Sequence, residues 1–318
     1  MTDIRSLPNP RSHEGDTRRV GIEVECGGVD EHRLARILAD ALGGTVCRTA
    51  EYEWTVEGSR IGDIDVLLDT ALRDKVESNI AKAGLAMGRA VIPVEFVTEP
   101  IEPDRIAEVD QACAALAEAG AFGTRDGLFV GFGLHLNVAL PGTQIDDILP
   151  VLTAFALMED WMRARMDLDP SRRLQPFVET YPSVLVDALC DPEAEWSLDA
   201  LLRTYLQHAP NRNHALDLLP ILKHYQSGAV VEAVPQMAHK SGRPAWHYRL
   251  PDCRIGEGDW SVALEWNRWC VVEGVASDPN LLGRLRMCWR DYRGRAFGMP
   301  GRWHAVSAEV LDEEVDLP

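Results

Sequence analysis

Glu23 and Glu25, in the stretch GIEVEC (residues 21–26), are two carboxylates one residue apart. Side chains of a β-strand alternate between its faces, so both glutamates project from one side while Ile22 and Val24 project from the other. Like charges held side by side repel unless something of opposite charge neutralises them. The same alternation recurs in four further segments. In FVGFGLHLNV (129–138), Val130, Phe132, Leu134, Leu136 and Val138 share a face, and Phe129, Gly131, Gly133, His135 and Asn137 share the other. A glycine inside a strand weakens it and often marks the close approach of a ligand. Asp63, Asp65 and Asp69 oppose Ile64, Val66 and Leu68; Glu95 and Glu99 oppose Val94 and Phe96; His247 and Arg249 alternate with Trp246, Tyr248 and Leu250.

One side of this pattern is apolar and the other carries carboxylates and imidazoles, with no lysine among them. A solvated sheet face also alternates, but it draws on Thr, Lys, Gln and Arg. Hard divalent cations take oxygen ligands, sometimes joined by a histidine. Mg²⁺ or Mn²⁺ on Glu23 and Glu25 would make their proximity tolerable, with Glu95, His135, His247 and an aspartate of the Asp65/Asp69 pair as further ligands. Mg²⁺ on a carboxylate-lined sheet commonly accompanies nucleotide phosphate. The chain has neither GxxxxGK[ST] nor a GxGxxG following a strand, so a metal ion would have to hold the phosphates in place of a glycine loop. A second stretch, YLQHAPNRNHALDLLPILKHY (205–225), puts Asn211, Arg212 and Asn213 ahead of a helical pattern. Arg212 there is either a bidentate clamp for phosphate or carboxylate or a surface arginine beside an N-cap. In ALEWNRW (263–269), Glu265 and Arg268 among tryptophans read as core packing with a satisfied ion pair.

The elements that must position these residues follow from periodicity. Strands are expected at 19–26, about 51–57, 60–68, 91–100, 128–141 and 245–250. Helices are expected at 30–42, where Asp30 caps and Leu34, Ile37, Leu38 and Ala41 form the stripe, and at 103–119, 144–166, 197–208, 211–225, 256–276 and 278–292. Strands and helices do not alternate regularly, which excludes a doubly wound parallel sheet. The expectation is an α+β fold, an antiparallel sheet with helices packed on one side. Residues 1–17 read as a flexible lead-in, 18–318 as a single domain with a helical insertion at about 144–240.

With 318 residues, 46% of them hydrophobic, the chain can bury a sizeable core. Its net charge of −18 and pI near 4.9 disfavour nucleic-acid and anionic-membrane partners, which need a basic face. Part of the excess lies in AEVLDEEVDLP (308–318), expected to be a solvated acidic terminus. Seven scattered cysteines without a CxxC argue for reduced thiols and against a disulfide framework or zinc knuckle. The first residues lack the apolar segment of a signal peptide, and no run approaches the roughly 18 apolar residues a membrane span requires. A soluble, cytoplasmic protein is expected.

In this order, RRVGIEVE, GDIDVLLDT, IPVEFVTEP, GFGLHLNV and RPAWHYRLP resemble the amidoligase family, within the glutamine synthetase and glutamate–cysteine ligase superfamily of carboxylate–amine ligases. The resemblance spans roughly residues 18 to 275. It implies a curved antiparallel half-barrel funnel with helices on its outer face, ATP entering from one end, the acid from the other, and Mg²⁺ ions on the floor. Residue by residue, it places the family's paired glutamates at Glu23 and Glu25. Its later strand glutamate falls at Glu95, with Thr98 and Pro100, its histidine strand at His135 and Asn137, and its late arginine at Arg249. It departs at His247, where relatives carry glutamate, and at Leu67, which stands in a glutamate position and leaves Asp65 or Asp69 to supply the oxygen.

The expected function is ATP- and Mg²⁺-dependent (or Mn²⁺-dependent) amide formation through an acyl phosphate on an amino-acid, peptide or cell-wall type substrate. Glu23, Arg249 and Arg212 would be catalytic. Glu25, Asn137, Arg249 and Asn211 would bind the cofactor, and partners would be small-molecule or peptide carboxylates and amines. A metal-dependent hydrolase and an inactive binding or scaffold protein of the same fold are the alternatives.

Overall fold

The computed structural model describes residues 2–68, 93–124, 131–166, 168–169, 178–294 and 303–318. Asp69 and the first residues of the strand expected at 128–141 lie outside them. Eight strands are present: β1 (Val20–Cys26), β2 (Thr45–Ala50), β3 (Glu53–Ser59), β4 (Gly62–Leu68), β5 (Val94–Thr98), β6 (Leu134–Val138), β7 (Leu216–Asp217) and β8 (His247–Tyr248). They form one sheet in the order β2-β3-β4-β5-β1-β6-β8-β7, every pair antiparallel, and the sheet does not close into a barrel. Ten helices accompany it among the described residues: α1 (Glu31–Leu42), α2 (Ile106–Glu118), α3 (Ile145–Arg165), α4 (Ser183–Leu189), α5 (Leu198–His208), α6 (Leu219–Tyr225), α7 (Ser227–Ala233), α8 (Val262–Ala276), α9 (Pro279–Gly294) and α10 (Trp303–Glu314). The α+β expectation holds at that level.

In β4 and β5 burial follows the alternation read from sequence, whereas in β1, β6 and β8 the polar-face residues Glu25, His135 and His247 are buried as well. Ile22, Val24, Phe96, Leu134, Leu136, Val138, Trp246 and Tyr248 are all fully buried on the face that meets the helices. Tyr248 sits in a ring cluster with Phe155 of α3 and Trp269 of α8, at centroid separations of 5.9 and 5.2 Å. The edge-to-face and tilted geometries are those aromatic quadrupoles favour. α1 starts where Asp30 accepts from the Arg33 N–H, and it buries Leu34, Ala35, Leu38 and Leu42 against the β2–β5 half of the sheet.

Four expectations are corrected. The helix foreseen from 211 begins at Leu219, because Leu216–Asp217 is taken up in pairing with β8 and Pro220 sits in the first turn, where its missing N–H costs nothing. β8 is shorter than expected, two residues flanked by a bridge between Ala139 and Ala245. The terminal segment is not a solvated tail: α10 runs through it and buries Trp303, Ser307, Val310 and Leu311, an i, i+4, i+7, i+8 stripe that the surrounding acidic residues hide in the sequence. Of residues 2–17, expected as a flexible lead-in, the first few are bonded to α8, while Arg11 and Thr17 form a bridge and the His13 N–H donates to the Pro141 carbonyl. Leu7 is buried, the Arg5 N–H donates to Asn267 Oδ1, and Trp266 Nε1 donates to the Arg5 carbonyl. All seven cysteines are free thiols. No helix among the described residues is long and apolar enough to cross a membrane.

Candidate functional site

The polar face of the sheet acquires its chemistry from register. In β1–β6 pairing, Glu23 stands opposite His135 and Gly21 opposite Asn137; in β1–β5 pairing, Glu25 stands opposite Glu95. Directly opposed residues bring their side chains within about 5 Å. His135 Nδ1 lies 3.0 Å from Glu23 Oε2, and Asn137 Nδ2 donates to Glu23 Oε1 at 2.7 Å. Glu25 accepts from the Gly133 N–H at 2.7 Å and faces His135 Nε2 at 3.7 Å. β8 adds His247, whose Nε2 is 4.0 Å from Glu23 Oε2 and whose ring stands nearly perpendicular to that of His135 at 5.4 Å. Glu23, His135 and His247 can each offer one ligand atom, all within 4.8 Å of one another.

Behind His247 lies a fully buried carboxylate. Asp217, its register partner on β7, brings Oδ2 to 3.6 Å from His247 Nδ1. Asp217 accepts from the Leu219 N–H at 3.0 Å and from Arg212 Nε at 3.4 Å, and Arg249 in turn donates to the Arg212 carbonyl. At the mouth of the cluster, the half-exposed Arg243 donates to Asn137 Oδ1 and reaches to 3.6 Å from Glu23 Oε1.

Burial opposes the charge on Glu23. The hydrogen bond from His135, the neighbouring His247 and the amide of Asn137 outweigh it and hold Glu23 well below the usual carboxylate range. Burial pushes His247 down to about 4 against the pull of Asp217 and Glu23, which leaves the ring neutral near pH 7. Asp217 is also held low: burial works against its charge, but His247, Arg212 and Arg249 prevail. The site therefore offers ionised carboxylates beside a neutral imidazole, the protonation states that metal coordination requires.

Residues 16–271 match the family model described as "Putative amidoligase enzyme". The chain belongs to the amidoligase family. No curated protein matches it. The match spans every strand of the sheet and every residue of the cluster, and the family points to ligase activity.

Of the residues singled out from sequence, Glu23, Glu25, His135, Asn137 and His247 meet in this cluster, with Glu95 across from Glu25. Asp65 does not join them. It shares their face, but Val97 separates it from Glu23 in the cross-strand row, and its Oδ1 accepts from Thr55. Two strand spacings amount to about 10 Å. Arg212 points at Asp217, one layer behind the cluster, and the Asn211 side chain is used by the Asn213 N–H in its own turn. Asp69 lies outside the described residues. Sequence reading missed Asp217 and Arg243. Asp217 belongs to a two-residue strand, too short to show a period. Arg243 opens the RPAWHYRLP stretch and was visible only as a charge before a proline.

A divalent ion fits what is present: one carboxylate oxygen and two imidazoles converge, and neither ring nitrogen of the buried His247 has a hydrogen-bond partner in the structure. Such orphaned buried groups are uncommon and call for a partner.

Proposed function

We propose that the chain is an ATP- and divalent-metal-dependent carboxylate–amine ligase that forms an amide on an amino-acid, peptide or cell-wall type acid. The observation that carries this reading is the meeting of Glu23, Glu25, His135 and His247 from three strands at one place on the polar face of the sheet, in a member of the amidoligase family. In the first step a substrate carboxylate oxygen attacks the γ-phosphorus of ATP, ADP leaves, and an acyl phosphate forms. In the second, an amine attacks the acyl carbon and phosphate departs. Such chemistry depends on in-line placement and charge neutralisation, with no covalent enzyme nucleophile.

Glu23, Glu25, Glu95, His135 and His247 would hold the metal, whose contribution when bound is to neutralise phosphate oxygens. Arg243, poised over Glu23 and Asn137, is placed to take an oxygen of the phosphoryl group or of the acid. Arg249 braces the Arg212 loop from beneath and Arg212 braces Asp217, so in this reading both steady the cluster from behind. A carboxylate of the Glu25–Glu95 pair accepts the proton that the amine must lose.

The test is ATP consumption against pooled carboxylates and amines, with mass detection of the product. The expected product is the mass of acid plus amine less water, formed only with ATP and lost in Glu23→Gln. A second reading, a metal-dependent hydrolase, has one observation in its favour: two histidines with one carboxylate is a catalytic zinc ligand set. Cleavage of an amide or ester by metal-loaded protein without ATP would support it and remove the ligase.

A further inference from the structure

The ligase reading leaves open which ion the cluster selects, and the donors differ from one end of it to the other. At Glu23 they are a carboxylate and two imidazoles. At the other end Glu25 and Glu95 stand opposite each other, with the His135 Nε2 3.7 Å from Glu25. Mg²⁺ demands near-octahedral oxygen coordination and gives up water reluctantly. Imidazole suits first-row transition ions, and two histidines with one carboxylate is a recurrent set for them.

The spacing agrees. From Glu23 Oε2, one imidazole nitrogen is at 3.0 Å and the other at 4.0 Å. Donors around a single ion with bonds of about 2.1 Å sit roughly 3–4 Å apart. His247 is 4% exposed, and its Nε2, 4.0 Å from Glu23 Oε2, has no hydrogen-bond partner. Behind it stands Asp217, fully buried, 3.6 Å from Nδ1 and fixed by the Leu219 N–H and Arg212. A carboxylate on the far nitrogen of a ligating histidine orients the ring and raises its donor strength. A solvated sheet face has no use for a buried carboxylate placed there.

We propose that Glu23, His135 and His247 form a site for a first-row transition ion in preference to Mg²⁺, with Asp217 positioning His247. The proposal rests on the reading of this face as the metal-dependent site, but its test involves no nucleotide and no turnover.

Protein stripped with EDTA is titrated with Mn²⁺ alone, then with Mg²⁺ as competitor, and bound Mn²⁺ is examined by pulsed EPR for nitrogen couplings. The expected result is Mn²⁺ bound with coupling to two imidazole nitrogens and resisting at least about a tenfold excess of Mg²⁺. In His247→Glu one coupling disappears and Mg²⁺ competes at lower excess. In Asp217→Asn both couplings remain while Mn²⁺ affinity falls about 10–100-fold. Bound Mn²⁺ without nitrogen coupling in the wild-type protein, or displacement by an equal concentration of Mg²⁺, overturns the proposal. Because the decisive measurement is on the wild-type protein, a variant that fails to fold does not shelter it. Nitrogen-coupled Mn²⁺ in a protein that never consumes ATP would remove the ligase reading and leave this site standing.

Discussion

Two buried charge clusters sit on opposite sides of the same sheet, and they are built to different rules. Arg18 and Glu273 are closed. The guanidinium, 0% exposed, makes two 2.7 Å bonds to Glu273, and its remaining donors reach the Ala139 and Asn9 carbonyls. Trp269 Nε1 completes the carboxylate at 3.0 Å. The Glu23 cluster is open: His247 has no hydrogen-bond partner, and its neighbours are acidic on both sides. A buried ion pair stays tolerable only when every lone pair and proton is matched. In the closed cluster every guanidinium nitrogen and both carboxylate oxygens have partners among the chain's own atoms, and the pair ties Arg18 to α8. The open one leaves valence for something the chain does not contain.

Breaking each cluster should separate stability from activity. Arg18→Met strands a buried carboxylate, and the expected cost is about 3–5 kcal/mol by denaturant unfolding. Adding Glu273→Leu should recover part of that loss, since two apolar side chains in place of a buried pair are often neutral. Glu23→Gln keeps an acceptor for Asn137, so its stability should change by about 1 kcal/mol, the size of one hydrogen bond. Its ATP turnover should nonetheless fall by about 10²–10³, as for loss of one group that stabilises transition-state charge. Asp65→Asn, on the same face but two strands away, should leave turnover within about twofold of wild type, because screened charges at that distance interact weakly. Equal losses in Glu23→Gln and Asp65→Asn would mean that the acidic face acts as a diffuse field and that the open cluster is not special.

That contrast also marks what could be read in advance. The period of two assigned Glu23, Glu25, His135, Asn137, Asp65 and His247 to one face, because the opposite face had to be apolar. It could not say which of them share a row. That depends on β1 lying between β5 and β6, and strand order comes from packing over the whole chain. Asp217 was invisible for the same reason: its meaning lies in the residue it pairs with, His247, thirty positions further on. β2 was missed because it is a half-exposed strand at the sheet edge with little apolar content. α4 and α7, at seven residues each, are shorter than a periodic pattern can reveal.

Glu265 lies between the two extremes. One oxygen accepts from Arg268 at 2.7 Å, and the other is buried without a partner. Burial, helped by the charge of Asp252, pushes it up to about 7 against Arg268, from an ordinary value of 4.5. The native protein therefore keeps this proton to a higher pH than the unfolded chain does. Glu265 costs nothing below about pH 4.5, stability falls as pH rises from there to about 7, and the cost is constant above. At 1.36 kcal/mol per unit the difference amounts to about 3 kcal/mol. Glu265→Gln should match the wild type in unfolding free energy near pH 4.5 and exceed it by up to that amount above pH 7. A gap that does not change between those pH values would show that the second oxygen is satisfied and that this cluster is closed as well.

The smallest effect concerns the terminal helix, where charge pattern and burial disagree. Asp312 on α10 is half exposed, yet it accepts from Trp161 Nε1 at 2.8 Å and from the Arg165 guanidinium. A solvated acidic tail would lose nothing on Asp312→Ala. An anchored helix loses one hydrogen bond from a buried indole together with a partly exposed ion pair, about 1 kcal/mol in all. The loss should appear as a lowered melting temperature and a shift in tryptophan emission, and both should shrink at high salt only by the ion-pair share. Because the indole of Trp161 is buried beside α10, its unpaired N–H would remain costly whatever the salt, and that residue of the effect distinguishes a packed helix from a screened cluster of charges.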